Sequence, residues 1–254
     1  MKKLSIIGCG VIGTEIAKSV DNNIIKNTKI IKLYDINFEK AKILKNYLKK
    51  NNPLLTRTLQ EAINNTDIIV ECASCDAVRQ ILSIAPVKSN IFILSTGALI
   101  KYPELQHKIS KKKLKVSFPS GAIAGLDAIK AASFNKIRKV LLVSRKSPVS
   151  LGISGNITRR KLLYDGPTSS AIKLFPQNIN VAASLSLSGI GPRKTRVKIF
   201  ADPGLKTNVH EIFVSGDFGT IATRVENNPS KINPKTSLLA VLSAINELKN
   251  ICED

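Results

Sequence analysis

The amino-acid sequence predicts an α/β fold. A doubly wound parallel sheet occupies residues 1–120, and a second α+β domain with a mainly antiparallel sheet occupies 121–234. Three observations predict it. Up to Phe118, short apolar runs alternate with segments of helical spacing, as expected when strands are buried on both faces. A G-x-G-x-x-G turn joins the first run to the first helical segment. Beyond Pro119-Ser120-Gly121 the runs adopt period two, the mark of strands in an antiparallel sheet.

Residues 3–7 read as the first strand, and 14–20 as a helix with Ile12, Ile16, Ala17 and Val20 on one face. A second strand covers 29–34, and an amphipathic helix spans 38–50, closed by Asn51-Asn52-Pro53. Strands at 67–71, 91–95 and 114–118 alternate with helices at 76–82 and 103–111. In the second half, 122–132 has helical spacing, 137–145 is a strand and 148–157 a loop. Helices follow at 167–174 and 178–187, then strands at 195–201, 209–215 and 220–226. After a linker at 229–234 comes a final amphipathic helix, within 235–252, expected to pack back on the first domain. There is no internal repeat.

With 254 residues and 43% hydrophobic content, the chain can bury a sizeable core. No apolar run reaches the roughly 20 residues of a membrane helix, and the Lys2-Lys3 start is broken at Gly8, unlike a secretory signal. The net charge is +21, but its densest stretches, such as Lys111-Lys112-Lys113, have no nucleic-acid-binding motif beside them. That reads as a lysine-rich solvated surface whose field attracts anionic substrates, with no nucleic-acid or membrane partner. Of the four cysteines only Cys72 and Cys75 are close, and His107 and His210 are the only histidines. A lone C-x-x-C without a second pair reads as thiols in a reducing, cytoplasmic compartment, with no metal site.

Gly8, Gly10 and Gly13 stand between a strand and a helix, the context that makes the motif a dinucleotide site. Gly8 permits the tight turn, Gly10 lets the backbone approach the pyrophosphate, and Gly13 allows close helix–strand packing. Val11 and Ile12 open the helix, whose N-terminal N–H groups and dipole face the phosphates. Asp35, 22 residues after Gly13, ends the second strand. A carboxylate there accepts from ribose hydroxyls and repels a 2′-phosphate, which favours NAD over NADP, although Lys32 and Lys40 are near enough in sequence to soften the bias. Cys72-Ala73-Ser74 and Ser95-Thr96-Gly97-Ala98 lie at later strand ends where the cofactor passes. Hydride transfer needs a proton donor or acceptor, and histidine titrates nearest neutrality. His107 sits on a basic helix, whereas His210 opens a strand in a polar segment, and the residues alone leave its role open.

The chain resembles the L-aspartate dehydrogenases of the NAD-biosynthesis type. The resemblance is carried by residues 7–13, Val70-Glu71-Cys72-Ala73, residues 95–99, residues 120–128, Phe175-Pro176-Gln177-Asn178-Ile179-Asn180-Val181-Ala182-Ala183, Ala201-Asp202-Pro203, Asn208-Val209-His210-Glu211 and Asn233-Pro234-Lys235-Thr236-Ser237. It implies NAD(P)-dependent oxidation of L-aspartate to iminoaspartate, with His210 as the active-site histidine and Ala122 and Asn180 contacting the cofactor. It also implies a homodimer built through the second domain. Two substrate carboxylates need cations, and Lys235, Arg193 and Lys206 are the candidates. The alternatives are a homoserine dehydrogenase-like or dihydrodipicolinate reductase-like enzyme, or a non-catalytic dinucleotide-sensing protein.

Overall fold

The first strand, β1 (Lys2–Ile7), runs into α1 (Val11–Asp21), and the same alternation then continues through β2 (Thr28–Tyr34), α2 (Phe38–Tyr47), β3 (Leu54–Leu55), α3 (Leu59–Ile63), β4 (Ile68–Glu71), α4 (Cys75–Ile84), β5 (Asn90–Ile93), α5 (Ala98–Lys101), α6 (Glu104–Lys112) and β6 (Lys115–Ser117). The computed structural model describes residues 1–153, 157–175, 179–230, 233 and 236–253. All six strands are parallel, in the order β3-β2-β1-β4-β5-β6. The winding reverses between β1 and β4, so their carboxyl ends form the crevice where ligands bind in such sheets. Leu4, Ile6, Ile30, Leu33, Val70 and Phe92 are fully buried, packed with Ile16, Ala17 and Val20 of α1.

The second half contains α7 (Leu126–Ala132), β7 (Ile137–Lys146), α8 (Pro148–Leu151), β8 (Lys161–Pro167), α9 (Thr168–Leu174), α10 (Asn180–Ser188), β9 (Arg196–Ala201), β10 (Asn208–Gly216), β11 (Gly219–Asn227) and α11 (Leu238–Glu253). Its five-stranded sheet has the order β11-β10-β7-β9-β8. One compact unit comprises Met1–Pro119 and the chain from Ala244; the other is Ser120–Ser243. Helix α11 therefore begins in the second unit, while Ala244, Leu248 and Cys252 complete the core of the first.

Several elements depart from the sequence expectation. The second sheet is mainly antiparallel, as expected, but it includes one parallel pair, β7 with β9, and β9 is not a neighbour of β10. Strand β8 lies where no element was expected, and α8 replaces part of a loop, with Pro148 at its start and the Ser147 hydroxyl accepting from Ser150 N. Helix α2 stops at Tyr47 rather than Lys50. The Asp21 carboxylate takes the N–H groups of Lys49, Lys50 and Asn51 at 2.8–2.9 Å, which draws them out of the helix. Residues 122–125 are not helical. Gly121 and Gly125 have φ of +73° and +82°, and α7 begins only at Leu126.

Candidate active site

The glycine turn of the first unit is made by steric exclusion. Gly8 has φ +99°, and a Cβ there would lie 2.6 Å from the Cys72 carbonyl oxygen. A Cβ on Gly13 would collide with the Gly8 carbonyl. At Gly10 the opposite holds: a Cβ would point into open space, so the missing side chain leaves a cradle for a ligand. Gly10 caps α1 without a side-chain bond, and no acidic residue occupies the first turn. The N–H groups of Val11, Ile12 and Gly13 have no intrahelical acceptor by helix geometry, so an anion meets donors and a positive dipole end. Asp35 Oδ2 accepts from Cys9 N at 2.7 Å and Oδ1 from Asn37 N at 2.8 Å, which fixes the carboxylate beside the turn. Each oxygen retains a lone pair for a ribose hydroxyl. These groups fit a nicotinamide dinucleotide.

Two neighbours carry structural roles that the sequence did not assign to them. Glu71, fully buried at the end of β4, accepts from Ala73 N (2.8 Å), Leu94 N (3.3 Å), Ser95 N (3.0 Å) and Ser95 Oγ (2.8 Å). Burial pushes its pKa up, and these donors work against the rise. One carboxyl thus ties together the two strand ends expected to line the cofactor. The signal in the sequence was an acidic residue closing an otherwise apolar strand. Cys72 Sγ donates to Gly8 O at 2.9 Å, and burial keeps the thiol protonated well above its usual range. The C-x-x-C sulfur nearest the turn is a structural donor beneath it. Ser74 caps α4, its hydroxyl accepting from Ala77 N at 3.2 Å. The Lys32 ammonium donates to Glu61 O and Asn64 O, so it is committed to the end of α3.

In the second unit, β7 alternates strictly, with Val140, Leu142, Ser144 and Lys146 buried on one face. His210 of β10 pairs with Ser144 across the ladder, and its Nδ1 lies 3.0 Å from Ser144 Oγ. His210 is 2% exposed, and its Nε2 is buried without a hydrogen-bond partner. Burial, with the nearby Lys146 charge adding to it, lowers the imidazole pKa to about 3. The ring is therefore neutral near neutral pH, held at Nδ1 and unpartnered at Nε2. Lys146 is 6% exposed, and burial lowers its pKa to about 8. The sequence reading missed this lysine, although it stands in phase with the apolar positions of β7.

The same end of the sheet carries further polar groups. Asn208 and Asn227 are paired across β10 and β11, and both are buried. Asn227 Nδ2 donates to Ala122 O at 3.0 Å, while its Oδ1 is buried and unpartnered. Asn180 is the first residue of α10. Of the expected cations, Lys206 is exposed in the β9–β10 connection, four residues before His210. Arg193 is exposed before β9, at the end of that strand away from Ile199, the residue level with Ser144 and His210. Lys235 lies outside the described residues. Asn208 Nδ2 donates to Ser237 Oγ at 3.2 Å.

Known protein families match both halves of the chain. Residues 8–119 match the family described as "Homoserine dehydrogenase, NAD binding domain". Residues 127–251 match "Aspartate dehydrogenase, C-terminal". The L-aspartate dehydrogenase of Methanosarcina barkeri is 43% identical over 99% of this chain and 97% of its own length. The chain belongs to the L-aspartate dehydrogenase family. A more distant member, the L-aspartate dehydrogenase of Nitrosopumilus maritimus, is 38% identical over 100% of this chain and 98% of its own. The crystal structure of aspartate dehydrogenase from Thermotoga maritima superposes with a TM-score of 0.74 at 28% identity, covering 99% of this chain and 96% of that one. A homoserine dehydrogenase from Thiobacillus denitrificans, at a TM-score of 0.59 and 13% identity over 99% of this chain and 73% of that one, shares the fold.

Proposed function

We propose that this protein oxidises L-aspartate to iminoaspartate with NAD as acceptor, the imine passing to NAD biosynthesis or hydrolysing to oxaloacetate and ammonia. The observation that carries the reading is His210, a buried neutral imidazole with one nitrogen anchored and the other open. Oxidation at Cα removes a hydride from carbon and a proton from nitrogen. A bound nicotinamide supplies the hydride-acceptor chemistry. The substrate ammonium gives its proton to His210 Nε2, which frees the nitrogen lone pair to form the C=N bond as the hydride leaves. Two substrate carboxylates nearby raise the imidazole's proton affinity from its low resting value, so the base strengthens when substrate binds. Ser144 fixes the ring for this transfer through Nδ1. Ala122, held through Asn227, and Asn180 are assigned to the cofactor.

Asp35 supports NAD over NADP, because a fixed carboxylate repels a 2′-phosphate and the Lys32 ammonium is already committed. The open face of the second sheet supports a homodimer through that unit. Phe213 and Leu162 are 44% and 46% exposed on the face that also carries Leu141 and Phe200. The four free cysteines support a reducing, cytoplasmic setting. No helix among the described residues is long and apolar enough to cross a membrane.

The test is the appearance of reduced nicotinamide when L-aspartate or homoserine is supplied with NAD or NADP. Turnover is expected with aspartate and NAD. His210→Ala should retain NAD binding and lose on the order of 10²–10⁴ in kcat. Full turnover in that variant would overturn the assignment.

A further inference from the structure

We infer that Asn227 receives the substrate amine together with His210: its side-chain oxygen accepts from the ammonium of aspartate and holds that nitrogen against the imidazole. This rests on the aspartate reading above and deepens it.

A buried polar atom without a partner is rare, because it gives up its bond to water and gains none. Two such atoms belong to one face of the β10–β11 pair, His210 Nε2 and Asn227 Oδ1. The ladder brings their residues together. His210 stands opposite Val225 and Asn208 opposite Asn227, so Asn227 is a diagonal neighbour of His210 on the same face. Such neighbours start roughly 7 Å apart at Cβ, a gap that an imidazole and an amide together span. Asn227 is 2% exposed. Its Nδ2 donates to Ala122 O at 3.0 Å. That bond fixes which end of the amide is oxygen, since the reverse orientation would set two acceptors against each other.

The pair selects its ligand by the hydrogens it carries. An amide oxygen only accepts, and a base ready for a proton also accepts, so the group between them needs two donors. A carboxylate has none and is repelled by the oxygen. An ammonium has three, and its charge strengthens each bond. At hydrogen-bond distances of about 2.9 Å, one nitrogen bridges two acceptors roughly 5 Å apart. In the reaction one N–H bond of the ammonium breaks as Nε2–H forms. The Cα–H bond then breaks, its electron pair leaving with the hydride to the oxidised nicotinamide, and the nitrogen lone pair becomes the second C=N bond. Two N–H bonds remain on nitrogen, and one of them stays on Asn227 throughout. The oxygen thereby fixes rotation about Cα–N, and its dipole faces the positive charge of the protonated imine.

The test compares Asn227→Ala and Asn227→Asp with the wild type, using kcat and KM for aspartate and the inhibition constant of succinate. Succinate is the same dicarboxylate without the amine, so it reports everything but the contact in question. Thermal unfolding and NAD affinity are measured alongside. In Asn227→Ala, kcat/KM for aspartate should fall roughly tenfold to hundredfold, with the succinate constant and NAD affinity unchanged. A residue that merely held Ala122 would weaken succinate, NAD or both together with aspartate. An equal loss for aspartate and succinate would therefore overturn the inference, as would full activity with aspartate. Asn227→Asp keeps an acceptor and loses the donor to Ala122. It should retain the preference for aspartate over succinate, and loss of that preference would overturn the inference even if Asn227→Ala failed to fold. Should the wild type fail to oxidise aspartate, the functional reading is what fails. Calorimetry of aspartate and succinate on the NAD-loaded wild type and Asn227→Ala then decides the role of Asn227. A loss confined to aspartate supports it, whereas equal affinities, or no aspartate binding by the wild type, overturn it.

Discussion

The two units build their candidate sites from different materials. Around Gly8, Gly10 and Gly13 the site is backbone: a turn with one positive φ, a helix terminus, and absent side chains that leave room. Around His210 it is side chain: an imidazole, a hydroxyl, a lysine and two asparagines gathered on one buried sheet end. A backbone site is broken by adding atoms, and a side-chain site by removing them. The first tolerates no methyl group, whereas the second depends on groups whose burial is itself unfavourable.

In the first unit, adding one methyl group at Gly13 gives the largest effect expected. In Gly13→Ala the new Cβ meets the Gly8 carbonyl and lies 2.9 Å from Cys72 Sγ, and neither can move without opening the turn. Cofactor affinity should fall roughly a hundredfold, with a stability loss of about 1–3 kcal/mol, measured by NAD titration and thermal unfolding. Gly10→Ala, where a Cβ meets no atom, should fold normally and lose NAD affinity alone. Equal NAD affinity in Gly13→Ala and wild type would break the comparison.

The proposed preference for NAD over NADP rests on Asp35. Asp35→Ser removes the charge facing the ribose and the acceptor for Cys9 N. NAD affinity should fall about tenfold, and the ratio of NADP to NAD use should rise by a similar factor. Steady-state assays with both cofactors measure it.

How much of this was legible follows from the same contrast. The glycine turn is a local affair: its spacing, the apolar strand before it and Asp35 after it are all within 36 residues, so sequence alone disclosed the turn and the parallel sheet. The second sheet depends on pairing across long separations. Strand β7 meets β9 and β10 more than 50 residues later, and nothing local in 195–201 told that its partner was β7 rather than β10. His210 was visible as a polar residue at a strand start, but Ser144, Lys146 and Asn227 became part of its surroundings only through the ladder. Glu71 was hidden for another reason. Its partners are backbone N–H groups, which every sequence has.

Glu71 is also where the comparison can be sharpened within the first unit, because there a side chain supports the backbone. Glu71→Gln keeps the shape but turns an amide NH₂ toward donors that now find a carboxylate. A buried donor left without an acceptor costs about 1–3 kcal/mol, so the melting temperature should drop, with NAD affinity weakened only a few-fold. A variant with wild-type melting temperature would show that the two loops hold their places without the carboxylate.

The smallest expected effect separates the two halves by pH. Backbone donors do not titrate, but His210 does. Its folded pKa, about 3, lies below the usual histidine value, so between these limits the unfolded chain binds a proton at this residue that the folded protein excludes. The contribution is therefore absent above the unfolded value and becomes destabilising as pH falls through it. Between pH 6 and 5 the stability should decline by about 1 kcal/mol on this account. Carboxylates and His107 titrate as well, so the measurement is a difference: urea unfolding of wild type and His210→Gln at the two pH values. The variant should lose less stability than the wild type over that interval, because glutamine has no proton to gain. An identical decline in both proteins would mean that the His210 imidazole takes its proton in the folded state, and with it would go the neutral base on which the contrast between the two units depends.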